Sequence, residues 1–350
     1  MQDSQATRSL MKPLDNSTLT AYRECPRKAY FRYVKHWRQA GTEPIYFSFG
    51  SAWHAGLDAL YSAFYEARSA SGPTGSEWNR VRQSSEFANA MSEIAMTAFA
   101  TVWVEAGWPL EPTPEEMAMY KGRTPVKAKE MYFYYYKELA EHMNRWKLIA
   151  TEQPFCVPLD LEDEKIFYSG RIDKVIEDES GQLWLLEHKT STMFSKTTGF
   201  RSDFIQSFSP NSQIEGYMYA VLFMQHMNEL PNDREFGGVY VDASLVHKTQ
   251  FHFKRIPIYY SDLLVAEWLD DVRYWYQSFR QSEENTAFPR SPHSCQSKFG
   301  QCTFINLCRA KPCIKDLPKD PPDGFVVDEW TPFNNIENDG NKQSHRLQEG

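Results

Sequence analysis

Gly170-Arg171-Ile172-Asp173, a turn at Asp178-Glu179-Ser180-Gly181, then Leu183-Trp184-Leu185-Leu186-Glu187-His188-Lys189 is the stretch that decides the fold. Two apolar runs bracket a polar turn, the pattern of a β-hairpin, with strands predicted over 166–176 and 182–190. Side chains alternate along a strand, so Glu187 and Lys189 project from one face. Asp173, on the neighbouring strand, lies within cross-strand reach of that face. Two converging carboxylates make a hard oxygen site suited to Mg2+ or Mn2+. A lysine beside them can orient or activate a water, or stabilise a phosphoryl transition state. That is equipment for hydrolysing a phosphodiester.

The triplet alone is weak. A Glu-x-Lys spacing arises by chance about once in a chain of this size, and a solvated strand with alternating charges reads the same way. Asp163-Glu164-Lys165 repeats the acid-x-Lys spacing at a predicted turn. No Gly-x-x-Asp strand precedes it, and it is set aside.

Outward from the hairpin, the pattern is helical upstream and mixed downstream. Helices are predicted over 18–34 with Ser17 as N-cap, 50–69, 80–105 and 127–149. Residues 70–77 read as a loop, and Pro109, Pro112 and Pro114 break the chain before the fourth helix. A strand at 152–160 precedes the hairpin. A helix over 210–228, strands near 236–243 and 249–257, and a closing helix over 261–281 follow it. No internal repeat occurs. Residues 1–16 read as a flexible leader, and 312–350 as an acidic, unfolded tail with four Lys/Arg against eight Asp/Glu.

Three further constellations bear on chemistry. His54 sits in a helix among Ser51, Ala52, Ala55 and Gly56, small residues that permit close approach of another element. As a ligand it would favour Mn2+ over a purely oxygen site, although a lone helical histidine is more often structural. Gln213 and Tyr217, four residues apart, share a helix face. They read either as a polar pair contacting phosphate or the lysine, or as an amphipathic helix burying Tyr217. Cys295, Cys302 and Cys308 offer three thiolates, and Cys25 the fourth if the chain ends meet. Four thiolates fit an iron–sulfur cluster or zinc. Cys156, in an apolar strand, reads as core, and Cys313 as an alternative ligand.

The 350 residues carry a formal net charge of −8, 41% hydrophobic and 15% aromatic residues. No run approaches the length of a membrane span, and the N-terminus lacks a secretory pattern. A cytoplasmic protein is therefore expected. Clustered cysteines in such a chain point to metal rather than disulfides. Against the overall negative charge, residues 22–38 hold Arg23, Arg27, Lys28, Arg32, Lys35 and Arg38 with only Glu24 opposing. Arg23, Arg27, Lys28 and Arg32 could track a nucleic-acid backbone, with Tyr30 or Trp37 stacking on bases. A solvated helix face with buried aromatics is the alternative.

Taken in order, Ser17 to Lys28, Gly50-Ser51-Ala52-Trp53-His54, Gly170 to Asp173, Glu187-His188-Lys189, Gln213-x-x-x-Tyr217 and the terminal cysteines form a series. The series resembles the RecB-like branch of the PD-(D/E)XK nuclease superfamily. It is most similar to the iron–sulfur members, such as CRISPR-associated RecB-like exonucleases and AddB-type nuclease domains. The resemblance implies an α/β, restriction-endonuclease-like fold with a mixed central sheet, a helical N-terminal elaboration and a terminal iron–sulfur staple. A single domain would span 17–311: helical to about 150, sheet core to about 282, cysteine cluster from about 290.

The resemblance also implies roles. His54, Asp173, Glu187 and the His188 carbonyl would hold Mg2+ or Mn2+. Lys189 would be the catalytic lysine, with Gln213 and Tyr217 positioning it or the substrate. Cys25, Cys295, Cys302 and Cys308 would ligate a 4Fe–4S cluster. The residue before Asp173 is Ile172 rather than proline, and Cys295 and Cys302 stand further apart than is usual in the family. The implied activity is metal-dependent DNA hydrolysis, by an exonuclease on single strands or ends, in recombination, repair or phage and CRISPR DNA processing. No Walker-type phosphate loop is present, so any helicase would be a separate partner. Two rivals stand beside this reading: a catalytically silent nucleic-acid-binding or assembly protein, and a zinc-stapled structure-specific endonuclease.

Overall fold

A computed structural model describes residues 12–41, 43–71, 75–159, 166–297, 300–311 and 313–329. In chain order the N-terminal part comprises β1 (Lys12–Leu14), α1 (Asn16–Glu24), α2 (Pro26–Ala29, continued by a π-helical turn at Tyr30–Val34) and β2 (Trp37–Gln39). The helices α3 (Ile45–Ser71), α4 (Ser76–Gln83), α5 (Ser85–Glu105), α6 (Pro114–Tyr120) and α7 (Pro125–Arg145) follow. The centre holds β3 (Lys147–Pro158), β4 (Ile166–Glu177), β5 (Leu183–Ser191), a small hairpin of β6 (Phe194–Ser195) and β7 (Gly199–Phe200), α8 (Ser202–Gln206) and α9 (Ser212–His226). The chain then runs through β8 (Phe236–Leu245), β9 (Phe253–Tyr259) and α10 (Asp262–Glu284). It closes with β10 (Gln296–Ser297), β11 (Gly300–Gln301), α11 (Ile305–Ala310) and β12 (Phe325–Val327).

The main sheet is mixed, as expected. Its strand order is β1-β4-β5-β8-β9, with β3 added on β4. β1 runs parallel to β4, and β5 parallel to β8, while the β3/β4, β4/β5 and β8/β9 pairs are antiparallel. Both faces are covered. Leu185, Val239, Val241 and Ala243 pack with Met218, Val221 and Trp268 of α9 and α10. Ile176, Trp184 and Leu186 pack on the other face with Trp53, Phe64, Phe99 and Tyr132 of α3, α5 and α7. The high aromatic content is largely spent there: Trp53 stacks on Tyr132 at 4.2 Å, and Phe99 on Trp103 at 5.5 Å.

One feature of β4 places the site. Its outer edge pairs throughout with β3. Its other edge is covered by β1 only over Ile166–Tyr168, and by β5 only over Lys174–Glu177. Residues 169–173 therefore face a notch between two neighbours. Gly170 belongs to this stretch because the Phe155 ring crosses it, 2.7 Å from where a Cβ would stand.

Several expectations are corrected. The leader does not extend to residue 16: Lys12–Leu14 is a sheet strand, and Asp15 rather than Ser17 caps α1 by accepting from the Thr18 amide at 2.9 Å. Residues 1–11 lie outside the described residues, as does the Asp163-Glu164-Lys165 triplet. The predicted 18–34 helix is broken at Cys25, whose φ of −161° is extended. Pro26 supplies the cause, since the residue before a proline is pushed out of the helical region. The predicted 80–105 helix is likewise two, with Ser84 capping α5 through the Phe87 amide. The tail is ordered further than expected. β12 pairs antiparallel with β2, and Asp328 receives Arg32 at 2.9 Å. Residues 330–350 lie outside the described residues.

Candidate active site

Beyond Lys174 and Leu186 the β4/β5 ladder ends, and the site begins at the next residue on each strand. The register sets Asp173 across from Glu187. Where a continuing ladder would offer the His188 amide a carbonyl, the Asp173 carboxylate takes it instead, with Oδ2 accepting at 2.8 Å. Asp173 Oδ1 lies 3.3 Å from Nδ1 of His54, two turns into α3. Lys189 Nζ donates to Glu187 Oε1 at 2.5 Å and to Gln213 Oε1 at 3.0 Å. Gln213 Nε2 lies 3.0 Å from the same Glu187 oxygen and 2.9 Å from the Tyr217 hydroxyl. That hydroxyl donates to the Arg171 carbonyl at 3.0 Å, one of the backbone groups left over in the β4 notch. The structure thus brings together His54, Asp173, Glu187, Lys189, Gln213 and Tyr217. The Gln213–Tyr217 pair is a polar bridge as well as a buried contact.

The charges are interdependent. Burial and the Asp173 charge push the Glu187 carboxyl up to about 7, against the pull of Lys189. Burial opposes ionisation of Asp173, but His54, His188 and Lys174 outweigh it and hold the acid well below the usual carboxylate range. Burial also opposes a charged His54. Asp173 and Glu187 overcome it and lift the imidazole to about 9. Lys189 is raised despite its burial, by Glu187 and Asp173, and stays an ammonium at neutral pH.

The donor set fits a divalent cation. Glu187 Oε2 is buried and, among the described residues, has no hydrogen-bond partner, beside the ionised Asp173 carboxylate. A buried carboxylate oxygen without a donor is costly unless a cation satisfies it. The protonated His54 now balances that negative charge, and a divalent ion would release its proton. Among the described residues, no three His, Cys, Asp or Glu side chains close on one point as a finished coordination shell would.

Behind the site lies a buried network that sequence reasoning missed. His188 pairs with Asp242 across the parallel β5/β8 register and gives it an Nδ1 contact of 2.8 Å. Asp242 also receives the Tyr135 hydroxyl at 2.5 Å and Arg255 Nε at 3.2 Å. Arg255 reaches the Tyr61 hydroxyl at 2.7 Å and covers the Trp146 ring at 4.2 Å. Burial lowers the His188 pKa, which keeps the ring neutral. A second missed group flanks Asp173: Lys174 pairs with Asp58 of α3, and Arg171 with Glu152 at 2.6 Å. Their only signal was charge inside predicted apolar elements.

The expected iron–sulfur site is not seen as such: among the described residues no three cysteines close on one point as metal ligands would, although four of them share a cavity. Cys25, Cys295, Cys302 and Cys308 line one cavity of about 300 Å3 together with Lys28, Arg290 and Arg309. The Ser291 amide points at Cys25 Sγ at 3.4 Å, and the Arg27 amide bonds the Pro289 carbonyl at 3.1 Å, so the two chain ends are in contact. Burial raises the thiols of Cys302 and Cys308, the latter to about 11. Cys313 is exposed and does not line the cavity, and Cys156 is half-buried on β3.

The basic first helix needs correction. Arg27 is buried, with Nε donating to the Phe288 carbonyl at 2.8 Å, and is unavailable to a nucleic acid. Arg32 is held by Asp328. Tyr30 and Trp37 are core residues, not stacking platforms. Arg23 and Lys28 remain at the surface, Arg23 over the Trp275 ring and Lys28 paired with Glu24 at 2.6 Å.

The sheet is mixed and notched, with an acid on one strand, an acid and a lysine on the next, and helices on both faces. The PD-(D/E)XK nuclease superfamily model matches residues 15–309, and the chain belongs to that superfamily. The solved structures similar to this chain include these two. One is an exonuclease candidate from Eubacterium rectale, with 12% identity and a TM-score of 0.39 over 91% of this chain and 93% of its own. The other is a protein named SSO0001, with 13% identity and a TM-score of 0.29 over 73% of this chain and 96% of its own. A search of curated protein sequences returns no match. No helix among the described residues is long and apolar enough to cross a membrane.

Proposed function

We propose that the chain is a Mg2+- or Mn2+-dependent deoxyribonuclease of the RecB-like branch, acting as an exonuclease on single-stranded DNA or DNA ends. The observation that carries this is the orphaned Glu187 Oε2 beside ionised Asp173, with Lys189 fixed between Glu187 and Gln213. Asp173, Glu187, His54 and the His188 carbonyl would hold the ion. When bound, the ion supplies Lewis acidity at the phosphate and a more acidic water. Lys189, kept protonated by its neighbours, stabilises charge developing on the phosphate rather than abstracting a proton. Gln213 ties Lys189 to Glu187, and Tyr217 ties Gln213 to the Arg171 carbonyl, so both reactive side chains share one support.

The four cysteines are proposed to hold a 4Fe–4S cluster. The cavity is bordered by Lys28, Arg290 and Arg309, which offset the negative charge of four thiolates. The biological setting consistent with these parts is cytoplasmic DNA recombination, repair or phage and CRISPR processing, alone or with a separate helicase.

The test is cleavage of end-labelled single-stranded DNA in Mn2+ by anaerobically purified protein, with Asp173→Ala and Glu187→Ala alongside. Release of label by the parent and not by the variants is expected. Unchanged cleavage by Glu187→Ala overturns the assignment. A brown protein that binds DNA and cuts none moves the reading to a silent binding protein.

A further inference from the structure

Seven residues before His54, the same helix begins with two exposed rings. Tyr46 and Phe47 are 37% and 54% exposed, and their centroids lie 4.4 Å apart at an interplanar angle of 40°. A phenylalanine left this open at the start of a helix whose interior buries Phe49, Trp53 and Phe64 is unspent apolar surface. Helical spacing sets Phe47, Ser51, His54 and Asp58 on one face, with Ser51 exposed and His54 half-open. Among the described residues, nothing comes within 4 Å of the position where a Cβ on Gly50 would stand. Phe47, Ser51 and His54 are thus each at least partly exposed along this face. At a 1.5 Å rise per residue, the rings stand about 10 Å from His54 along the helix axis. A stacked strand advances about 3.4 Å per nucleotide, so the gap is about three nucleotides.

The second observation is charge. Arg123 lies within electrostatic reach of the Tyr46 hydroxyl. It ends the Lys121-Gly122-Arg123 turn after α6, and that turn packs on the His247–Lys248 backbone, 3.5 Å from a Cβ position on Gly122. Lys121, Arg123 and Lys248 have no carboxylate partner among the described residues, whereas most other cations near the site do. Aromatic faces combined with unpaired cations form the surface that single-stranded nucleic acid recognises, the rings taking bases and the cations phosphates. We propose that Phe47 and Tyr46 form a base-stacking platform for the strand that is cut, with Arg123 on its phosphate backbone. The proposal rests on the nuclease reading and adds where the strand is gripped.

The experiment measures binding of a dye-labelled single-stranded oligonucleotide by the full chain in a Glu187→Gln background, which keeps the strand whole. Phe47→Ala is expected to weaken binding roughly 5- to 100-fold, the fold-change that the loss of one stacked base produces. Phe47→Trp should restore it. An oligonucleotide series with one abasic position should contain a position that weakens the parent to the same degree and costs Phe47→Ala nothing more. Arg123→Gln should lower the salt slope by about one. In cleavage, Phe47→Ala should raise KM and leave kcat unchanged. An unchanged thermal midpoint separates these effects from misfolding. Binding by Phe47→Ala equal to the parent's, or a parent that binds no single strand, overturns the platform. A parent that shows the Phe47-dependent binding but never cleaves keeps the platform and removes the nuclease reading.

Discussion

At the scale of single residues, Glu152 has the most unusual backbone near the site. It sits inside β3 at φ 49°, a left-handed value that a non-glycine residue adopts at a cost of about 1 kcal/mol or more. The β3/β4 register, Thr151 with Lys174 and Gln153 with Ile172, puts it across from Asp173. The kink falls where Asp173 must leave the ladder to reach His54 and the His188 amide. Burial and then Asp58 push the Glu152 carboxyl up to about 8, against Arg171. The folded chain therefore keeps a proton there that the unfolded chain releases above its ordinary value of 4.5. The resulting stability is full below pH 4.5 and fades as pH rises through about 8. Thermal melts of the parent and Glu152→Gln at pH 5 and pH 8 should show the parent losing more across that interval. Parallel pH slopes deny it. Gln213 gives a second prediction. It bridges Glu187, Lys189 and Tyr217 without being a ligand itself, so Gln213→Ala should cost about 10- to 100-fold in activity or metal affinity, with the melt little changed. Loss below twofold in both removes its supporting role.

At the scale of elements, legibility followed the range of the cause. The hairpin could be read because period-two alternation and a polar turn are local. The α1 break could also be read, since Pro26 follows Cys25 directly, yet helical periodicity hid it. The His188–Asp242 pair was not legible, because the parallel register joining β5 to β8 is set across an intervening hairpin and two helices. Nor were the fates of Arg27, Tyr30 and Trp37, which were decided by the Phe288, Phe304 and Phe325 segments far along the chain. The small residues beside His54 were legible in kind. Gly56 is where α3 meets α5 and α7, and a Cβ there would come 2.0 Å from the Tyr132 hydroxyl and 2.8 Å from the Ala95 carbonyl. The Tyr132 hydroxyl donates to the Trp53 carbonyl at 3.1 Å, so it cannot yield without losing a buried bond. Gly56→Ala should destabilise by about 1–3 kcal/mol through overpacking, read as a lower urea midpoint at constant slope. Because α3 carries His54, activity at a fixed low metal concentration should fall with it.

At the scale of the whole molecule, the cysteine cavity joins what the chain order separates. Cys25 lies before the helical layer, and Cys295, Cys302 and Cys308 after the last helix on the sheet, so a shared cluster would close a loop around the entire fold. Closing a loop of that length removes unfolded-chain entropy worth about 5 kcal/mol in the simplest chain model. The contacts that otherwise join the ends are the short β2/β12 pair, partly exposed ion pairs at Asp328, the buried Arg27–Phe288 hydrogen bond and a core around Tyr22, Phe31, Phe288 and Phe304. Exposed ion pairs contribute about 0–1 kcal/mol each. Removal of the cluster by a chelator under air should therefore lower the thermal midpoint by several degrees. It should also expose residues 25–40 and 290–329 to protease together, while the β4/β5 hairpin stays protected inside two covered faces. Cys25→Ser, purified anaerobically, should behave like the bleached parent. A colourless parent that chelator leaves unchanged in midpoint and cleavage pattern would show that the protein's own contacts hold the ends, and the thiols would then be four half-buried side chains without a shared ligand.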